Sequence, residues 1–141
     1  MLKRLSTYLS ITHKLIKLYK GEMPFAAFLK NYFSQNKKHG STDRKYISHL
    51  CYCYYRLGNA LINKNFEERM LITFFLCNSF PKEYAVLFDE KWLTNWSEDV
   101  NERLNFIKEL YSDFEAEDIF KNYKLIGIDD KNSFIDRRAH V

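Results

Sequence analysis

Glycine and proline are scarce in this chain, at four and two among 141 residues. So little turn punctuation excludes a sandwich or barrel of many short strands. Long apolar runs are missing too. The longest stretch without a charged side chain runs from Met70 to Pro81, well short of the ~20 residues that cross a bilayer, so no membrane partner is expected. Leu5 to Ile11 behind Lys3 and Arg4 imitates a signal peptide, but Ser6, Thr7 and Ser10 interrupt it and no small-x-small cleavage site follows. The segment reads as helix and the chain as cytoplasmic. Cys51, Cys53 and Cys77 are odd in number, and the first two lie too close on one helical stretch to be bridged to each other. They read as buried thiols of a reducing compartment, where Asn95-Trp96-Ser97 carries no weight as a glycosylation triplet.

What the chain does have is apolar and aromatic surface: 46% hydrophobic residues, with 12 Phe, 10 Tyr and 2 Trp. That excludes global disorder and suffices for a core without metal or disulfide support. Its charge is unevenly placed. Residues 1–64 hold twelve Lys and Arg against only Glu22 and Asp43, whereas residues 65–141 hold ten against sixteen acidic side chains. The formal net charge of +4 therefore conceals a strongly basic half, the pattern expected of a chain with a polyanionic partner.

Apolar spacing predicts helices throughout. Residues 2 to 20 place Leu5, Tyr8, Leu9, Leu15, Ile16 and Tyr19 on one arc and Lys3, Lys14 and Lys17 roughly opposite. Gly21 ends that helix, and Pro24 suits the first turn of the next, which carries Phe25, Phe28, Leu29, Tyr32 and Phe33 as its buried stripe. A polar basic loop from Ser34 to Gly40 leads to a third helix, capped by Ser41 and running to about Leu61. Its apolar face is Ile47, Leu50, Cys51, Tyr54, Leu57 and Leu61. A second face interleaves charge and phenol: Arg44, Lys45, Ser48, Tyr52, Tyr55, Arg56 and Asn59. A fourth helix, Phe66 to Asn78, is apolar on nearly every side and should be central, with Pro81 closing it. Lys82 to Phe88 offers another turn or two. Ser97 is the expected cap of a helix bearing Val100, Leu104, Ile107 and Tyr111. Glu115 to Asn122 is a weaker helix, Lys124 to Ile128 looks extended, and residues 129–141 look like a loose tail. The expected architecture is an all-α bundle of five to seven helices, forming one domain over residues 1–128 without a second core.

Catalytic chemistry is hard to find. Four isolated glycines cannot build a phosphate loop. His49-x-Cys51-x-Cys53 is the closest approach to metal-ligand spacing, but residue 51 points away from the face shared by 49 and 53. Cys51 and Cys77 fall on apolar faces, unlike activated nucleophiles. No catalytic residue, metal or cofactor is assigned to this chain.

The segment Gly40-Ser41-Thr42-Asp43-Arg44-Lys45-Tyr46-Ile47, with Tyr52 and Arg56 further on, resembles a known pattern: Gly-Ser-x-Asp-Arg-basic-aromatic-Ile, then Tyr-x-x-x-Arg. It is similar to the N-terminal helical domain of the RsmB/Fmu/Sun type of S-adenosylmethionine-dependent 16S ribosomal RNA cytosine-C5 methyltransferases. The layout of Leu15 to Phe28 agrees, and the likeness covers about residues 10 to 62. It implies the fold of NusB, the all-helical RNA-binding antitermination factor. It also implies RNA, 16S rRNA in particular, as partner. The S-adenosylmethionine site and the Pro-Cys catalytic motif of that family belong to a C-terminal methyltransferase domain absent from this sequence. Neither Pro24 nor Pro81 precedes a cysteine. The tail from Asp129 is then a severed linker, or the chain is a free-standing relative.

The residues expected to contact RNA are Lys14, Lys17, Lys37, Lys38, Arg44, Lys45, Tyr52 and Arg56. Lys37 and Lys38 lead to a helix N-terminus that favours anions, Arg44 or Arg56 can bind a phosphate bidentately, and Tyr52 or Tyr55 can stack on an unpaired base. Lys3 would widen the basic footprint. Nothing in the sequence supplies a base-edge code, so phosphate and shape recognition are expected. For Arg56 and Tyr52 a structural role competes: Asp43 paired with Arg44 or Arg56, and Tyr52 in the core. The alternative functions are a protein-interaction module anchored by exposed Trp92 and Trp96, and a stand-alone NusB-like antitermination factor.

Overall fold

The three-to-four-residue spacing of Leu5, Tyr8, Thr12 and Leu15 gives the first helix one buried line. In the computed structural model this helix, α1, spans Leu2–Leu18. Gly21 follows at φ +83°, a left-handed conformation that a side chain would resist, and the Tyr19 hydroxyl donates to the Met23 carbonyl at 2.5 Å to tie the connection down. Pro24 stands one residue ahead of α2, Phe25–Gln35, with φ −56° already suited to helix entry. The third helix, α3, spans Ser41–Arg56, α4 spans Phe66–Cys77, a single 3-10 turn covers Ala85–Leu87, α5 spans Glu90–Thr94 and α6 spans Val100–Leu110. The molecule is all-α, with six α-helices and no strand among the described residues.

The structure describes residues 2–77, 85–116 and 119. Closure of α4 at Pro81, the turns from Lys82 to Tyr84, most of Glu115 to Asn122, the extended stretch Lys124 to Ile128, the tail 129–141 and the side chain of Lys3 all lie outside the described residues. The chain divides into two compact units, Met1–Tyr52 and Cys53–Val141, and the division falls within α3.

In the first unit the buried side chains are Leu5, Tyr8, Thr12 and Leu15 of α1, Leu29 of α2, His39 of the following loop, and Ile47, His49, Leu50 and Cys51 of α3. Aromatic contacts knit the helices. Tyr8 stacks on Tyr46 at 5.3 Å, Tyr19 meets Phe25 and Phe28 at 4.9 and 5.1 Å, and Phe25 meets Tyr52 edge-on at 5.6 Å.

In the second unit, α3 stops five residues before the expected Leu61. Residues 57–60 instead form tight turns with N–H groups donating three residues back, and Gly58 at φ +61° and Leu61 at φ +51° cannot continue a right-handed helix. Leu61 is nonetheless buried. The Asn65 side chain accepts the Glu68 N–H at 2.8 Å and so caps α4. From Arg69 to Cys77 every residue of α4 except Leu71 is buried, as its unbroken apolar composition implies. Phe75 is the hub of this unit, ringed by Phe88, Trp92, Trp96 and Phe106 at 5.3–6.1 Å. Trp92 is buried and Trp96 half-buried in this cluster, so they are not the exposed anchors expected from the sequence. The cap of α6 is Asp99, whose carboxylate accepts the Asn101 N–H at 2.9 Å. Ser97, the expected cap, accepts the Asp99 N–H at 3.1 Å instead.

Candidate nucleic-acid interface

The loop between α2 and α3 is tightly tethered. The Asn36 amide donates to the Tyr32 carbonyl at 2.8 Å, and the His39 N–H donates to the Asn36 carbonyl at 3.3 Å. At its far end the Gly40 N–H donates to the Asp43 carboxylate at 3.3 Å, and the Arg44 N–H donates to the Gly40 carbonyl at 3.0 Å. A tethered loop presents Lys37 and Lys38 with little freedom left to lose on binding. Both are exposed.

Beside this loop lies a cleft of about 550 Å³ lined by Lys30, Phe33, Ser34, Lys37, His39 and Arg44. Spacing on α2 accounts for half of it: Lys30, Phe33 and Ser34 are three and four residues apart and share a face, and Lys37 follows just beyond the helix end. The Arg44 guanidinium is steadied by a 3.4 Å hydrogen bond from its Nε to the Gly40 carbonyl. His39 forms a fixed wall. Only 8% of its surface is exposed, its Nε2 is 3.3 Å from the Tyr32 hydroxyl, and its ring stacks on Tyr32 at 5.8 Å and meets Phe33 edge-on.

A second cleft of about 390 Å³ runs along α1, lined by Ser10, His13, Lys14, Lys17 and Leu18. Tyr32 connects the two. Lys14 Nζ lies 6.0 Å from the centre of the Tyr32 ring, and Tyr32 stacks on the His39 that walls the first cleft. The cations of α1, α2 and the loop therefore share one neighbourhood on the first unit, which holds ten Lys and Arg against two acidic residues.

One of those two acids is accounted for locally. Asp43 accepts the Tyr8 hydroxyl at 2.5 Å and the Gly40 N–H. The Tyr8 hydrogen bond is the main reason its carboxyl sits below the usual carboxylate range, with the Gly40 N–H and the nearby His39 and Arg4 adding to it. The same bond raises the Tyr8 phenol. The expected pairing of Asp43 with Arg44 or Arg56 is thus replaced by a phenol–carboxylate bond between α1 and α3.

The structure brings Lys37 and Arg44 together in the first cleft and Lys14 and Lys17 in the second. Lys38 and Lys45 are exposed but line neither. Tyr52 is half-buried against Phe25. Arg56 must be withdrawn from the set. It is fully buried in the second unit, and its Nη1 donates to the sulfurs of Cys53 and Cys77 at 3.7 and 3.5 Å. Its Nε and Nη2 have no hydrogen-bond partner among the described residues. A guanidinium with no exposed surface cannot meet an external phosphate. The cleft residues not expected from the sequence are Lys30, Phe33, Ser34 and His39. Lys30 and Ser34 share a face of α2 at i, i+4 spacing, but nothing local to the sequence marks that face as the lining of a cleft.

Burial also defines the thiols. It pushes Cys51 up to about 12 and Cys77 well above the ordinary thiol range, so neither offers a thiolate at neutral pH. Among the described residues, no group of three His, Cys, Asp or Glu side chains is arranged to hold a metal ion, and no helix is long and apolar enough to cross a membrane. The chain matches no protein-family model, no curated protein and no solved structure.

Proposed function

We propose that this chain is a non-catalytic, cytoplasmic RNA-binding domain that docks RNA through the cationic surface of its first unit. The observation that carries the reading is the convergence of Lys30, Lys37 and Arg44 on one cleft, with Lys14 and Lys17 lining a second cleft joined to it through Tyr32. Exposed cations around a rigid loop supply the sequence-independent attraction that dominates affinity for a phosphate backbone, while half-buried rings beside them, Phe33 and Tyr32, offer surfaces for bases. On the resemblance of the Gly40 to Ile47 segment, the RNA is 16S ribosomal RNA. The domain then serves an S-adenosylmethionine-dependent cytosine methyltransferase whose chemistry resides in a separate C-terminal domain.

The test is the salt dependence of RNA affinity, measured by fluorescence anisotropy on the whole chain. Log Kd should rise with log salt with a slope of roughly 0.7 for each phosphate neutralised. Lys37→Gln and Arg44→Gln should each lower that slope. A flat salt response, with affinity unmoved by both substitutions, would overturn the reading.

A further inference from the structure

The α2–α3 cleft has a more particular chemistry than a strip of surface lysines. We infer that it seats a terminal phosphate monoester of RNA, in preference to a phosphodiester within the strand. This rests on the RNA-binding reading above and narrows it. Three features of the cleft lead there.

First, the charge is concentrated. Lys30, Lys37 and Arg44 surround a single concavity of about 550 Å³. Asp43, the nearest acid along the chain, does not line it and is held by Tyr8 and the Gly40 N–H. A mid-strand phosphodiester brings one negative charge and two accessible oxygens. A monoester near neutral pH approaches two charges and offers three acceptor oxygens. The monoester has as many free oxygens as the cleft has cations and about twice the charge to offer them.

Second, the cleft is walled. His39 is nine-tenths buried, its Nε2 lies against the Tyr32 hydroxyl, and its ring is clasped by Tyr32 and Phe33. The terminal nucleoside of a strand end can rest against the Phe33 ring that forms part of the lining, beside this fixed His39 wall. The volume falls within the range of about 300–1,000 Å³ that encloses small ligands.

Third, the parts are pre-positioned. The tether from Asn36 to Arg44 fixes Lys37 and the start of α3 relative to each other before any ligand arrives. Such preorganisation favours a compact, highly charged group over an extended one.

The experiment compares two short RNAs of one sequence, one 5′-phosphorylated and one 5′-hydroxyl, binding to the whole chain at physiological salt. A third probe, inorganic phosphate, competes against each. The 5′-phosphorylated RNA should bind about tenfold more tightly, the effect of one additional charge-assisted contact. Lys30→Gln and Arg44→Gln should abolish that difference while leaving weaker binding of the 5′-hydroxyl RNA in place, and Lys91→Gln on α5 should preserve the difference. Equal affinity for the two RNAs overturns the inference and leaves RNA binding standing. No binding of either RNA overturns both. Displacement of the phosphorylated RNA by inorganic phosphate at equimolar concentration would mean that the seat belongs to the free anion, and this also overturns the inference. Far-ultraviolet circular dichroism of each variant confirms that the surface substitutions leave the helices intact.

Discussion

The two units treat arginine in opposite ways, exposed among lysines in the first and buried in the second. In the first, Lys14, Lys17, Lys30, Lys37 and Arg44 all stand exposed around two clefts and a tethered loop. In the second, Arg56, Arg69 and Arg103 are buried, and two of them hold the backbone together. Arg69 donates to the Gly58 and Ala60 carbonyls and lies 4.8 Å over the Tyr54 ring, clamping the turn after α3. Arg103 donates to the Ser97 carbonyl and, at 3.0 Å, to the Leu76 carbonyl near the end of α4, with its guanidinium 4.3 Å over Trp96. The carbonyls at helix ends and turns are unsatisfied acceptors, and a planar, weakly hydrated guanidinium can join several of them at once. Burial lowers Arg103 to about 10, which still leaves it charged at neutral pH. Arginine is therefore a staple where loose carbonyls surround it, as at Arg69 and Arg103, and is left free to meet a partner where water does, as at Arg44. A binding face is located by which cations remain in solvent, not by how many the chain carries.

Substituting Arg103 should break this contrast most forcefully. Arg103→Ala leaves two carbonyls and a ring without their partner and should destabilise the protein by about 2–4 kcal/mol, at roughly 1–2 for each carbonyl left unpaired, read from urea denaturation. RNA affinity per folded molecule should not change. Next in size is the double reversal Lys37→Glu with Arg44→Glu in the first unit. It should weaken RNA binding about a hundredfold, at roughly 1.4 kcal/mol for each phosphate bond removed, while the melting temperature barely moves. Arg56 gives a smaller and opposite effect. Among the described residues its guanidinium donates only to thiols, so Arg56→Met, similar in volume and free of buried charge, should stabilise by about 1 kcal/mol and leave RNA affinity untouched. A drop in stability would show that the guanidinium contributes more than its volume.

The smallest effect concerns pH. Because the Tyr8 hydrogen bond holds Asp43 below its ordinary value, the stability Asp43 contributes is present above the usual carboxylate range and is lost as pH falls through the lowered value. Tyr8→Phe removes the main cause of that lowering, so the variant should be less stable at neutral pH and lose less on acidification, seen in melting temperatures measured from neutral to acid.

Local signals made most helices legible. The spacing of Leu5, Tyr8 and Leu15, the breaks at Gly21 and Pro24, and the apolar run from Met70 to Cys77 each act within a turn or two of the chain, so α1, α2 and α4 could be read directly. Signals failed where a choice depended on distant partners. Ser97 and Asp99 are both competent caps two residues apart, and the sequence does not say that the Ser97 hydroxyl accepts the Asp99 N–H while Asp99 accepts that of Asn101. The five residues of α5 are too few for periodicity, although Asp89 caps them through the Trp92 N–H at 3.1 Å. Arg56 shares an arc with Arg44 on a helical projection, yet that projection carries no information about which stretch of the helix is covered. Lys30 lies outside the aromatic stripe of α2, and a lone lysine on a polar helix face becomes informative only once the loop folds Lys37 and Arg44 beside it.

Leu61 shows how a turn can become hard to improve. Its left-handed backbone costs roughly 1–2 kcal/mol for a residue with a side chain, a penalty that glycine would remove. Its buried isobutyl group, however, is worth about 2–5 kcal/mol by the usual cost of deleting a core leucine. Burial outweighs strain and keeps the leucine in place, and a single exchange to glycine trades a modest relief for a greater loss. Relaxing this corner would require two coordinated changes, glycine here and a bulkier neighbour to fill the hole, so drift at this position is blocked even though its backbone is uncomfortable.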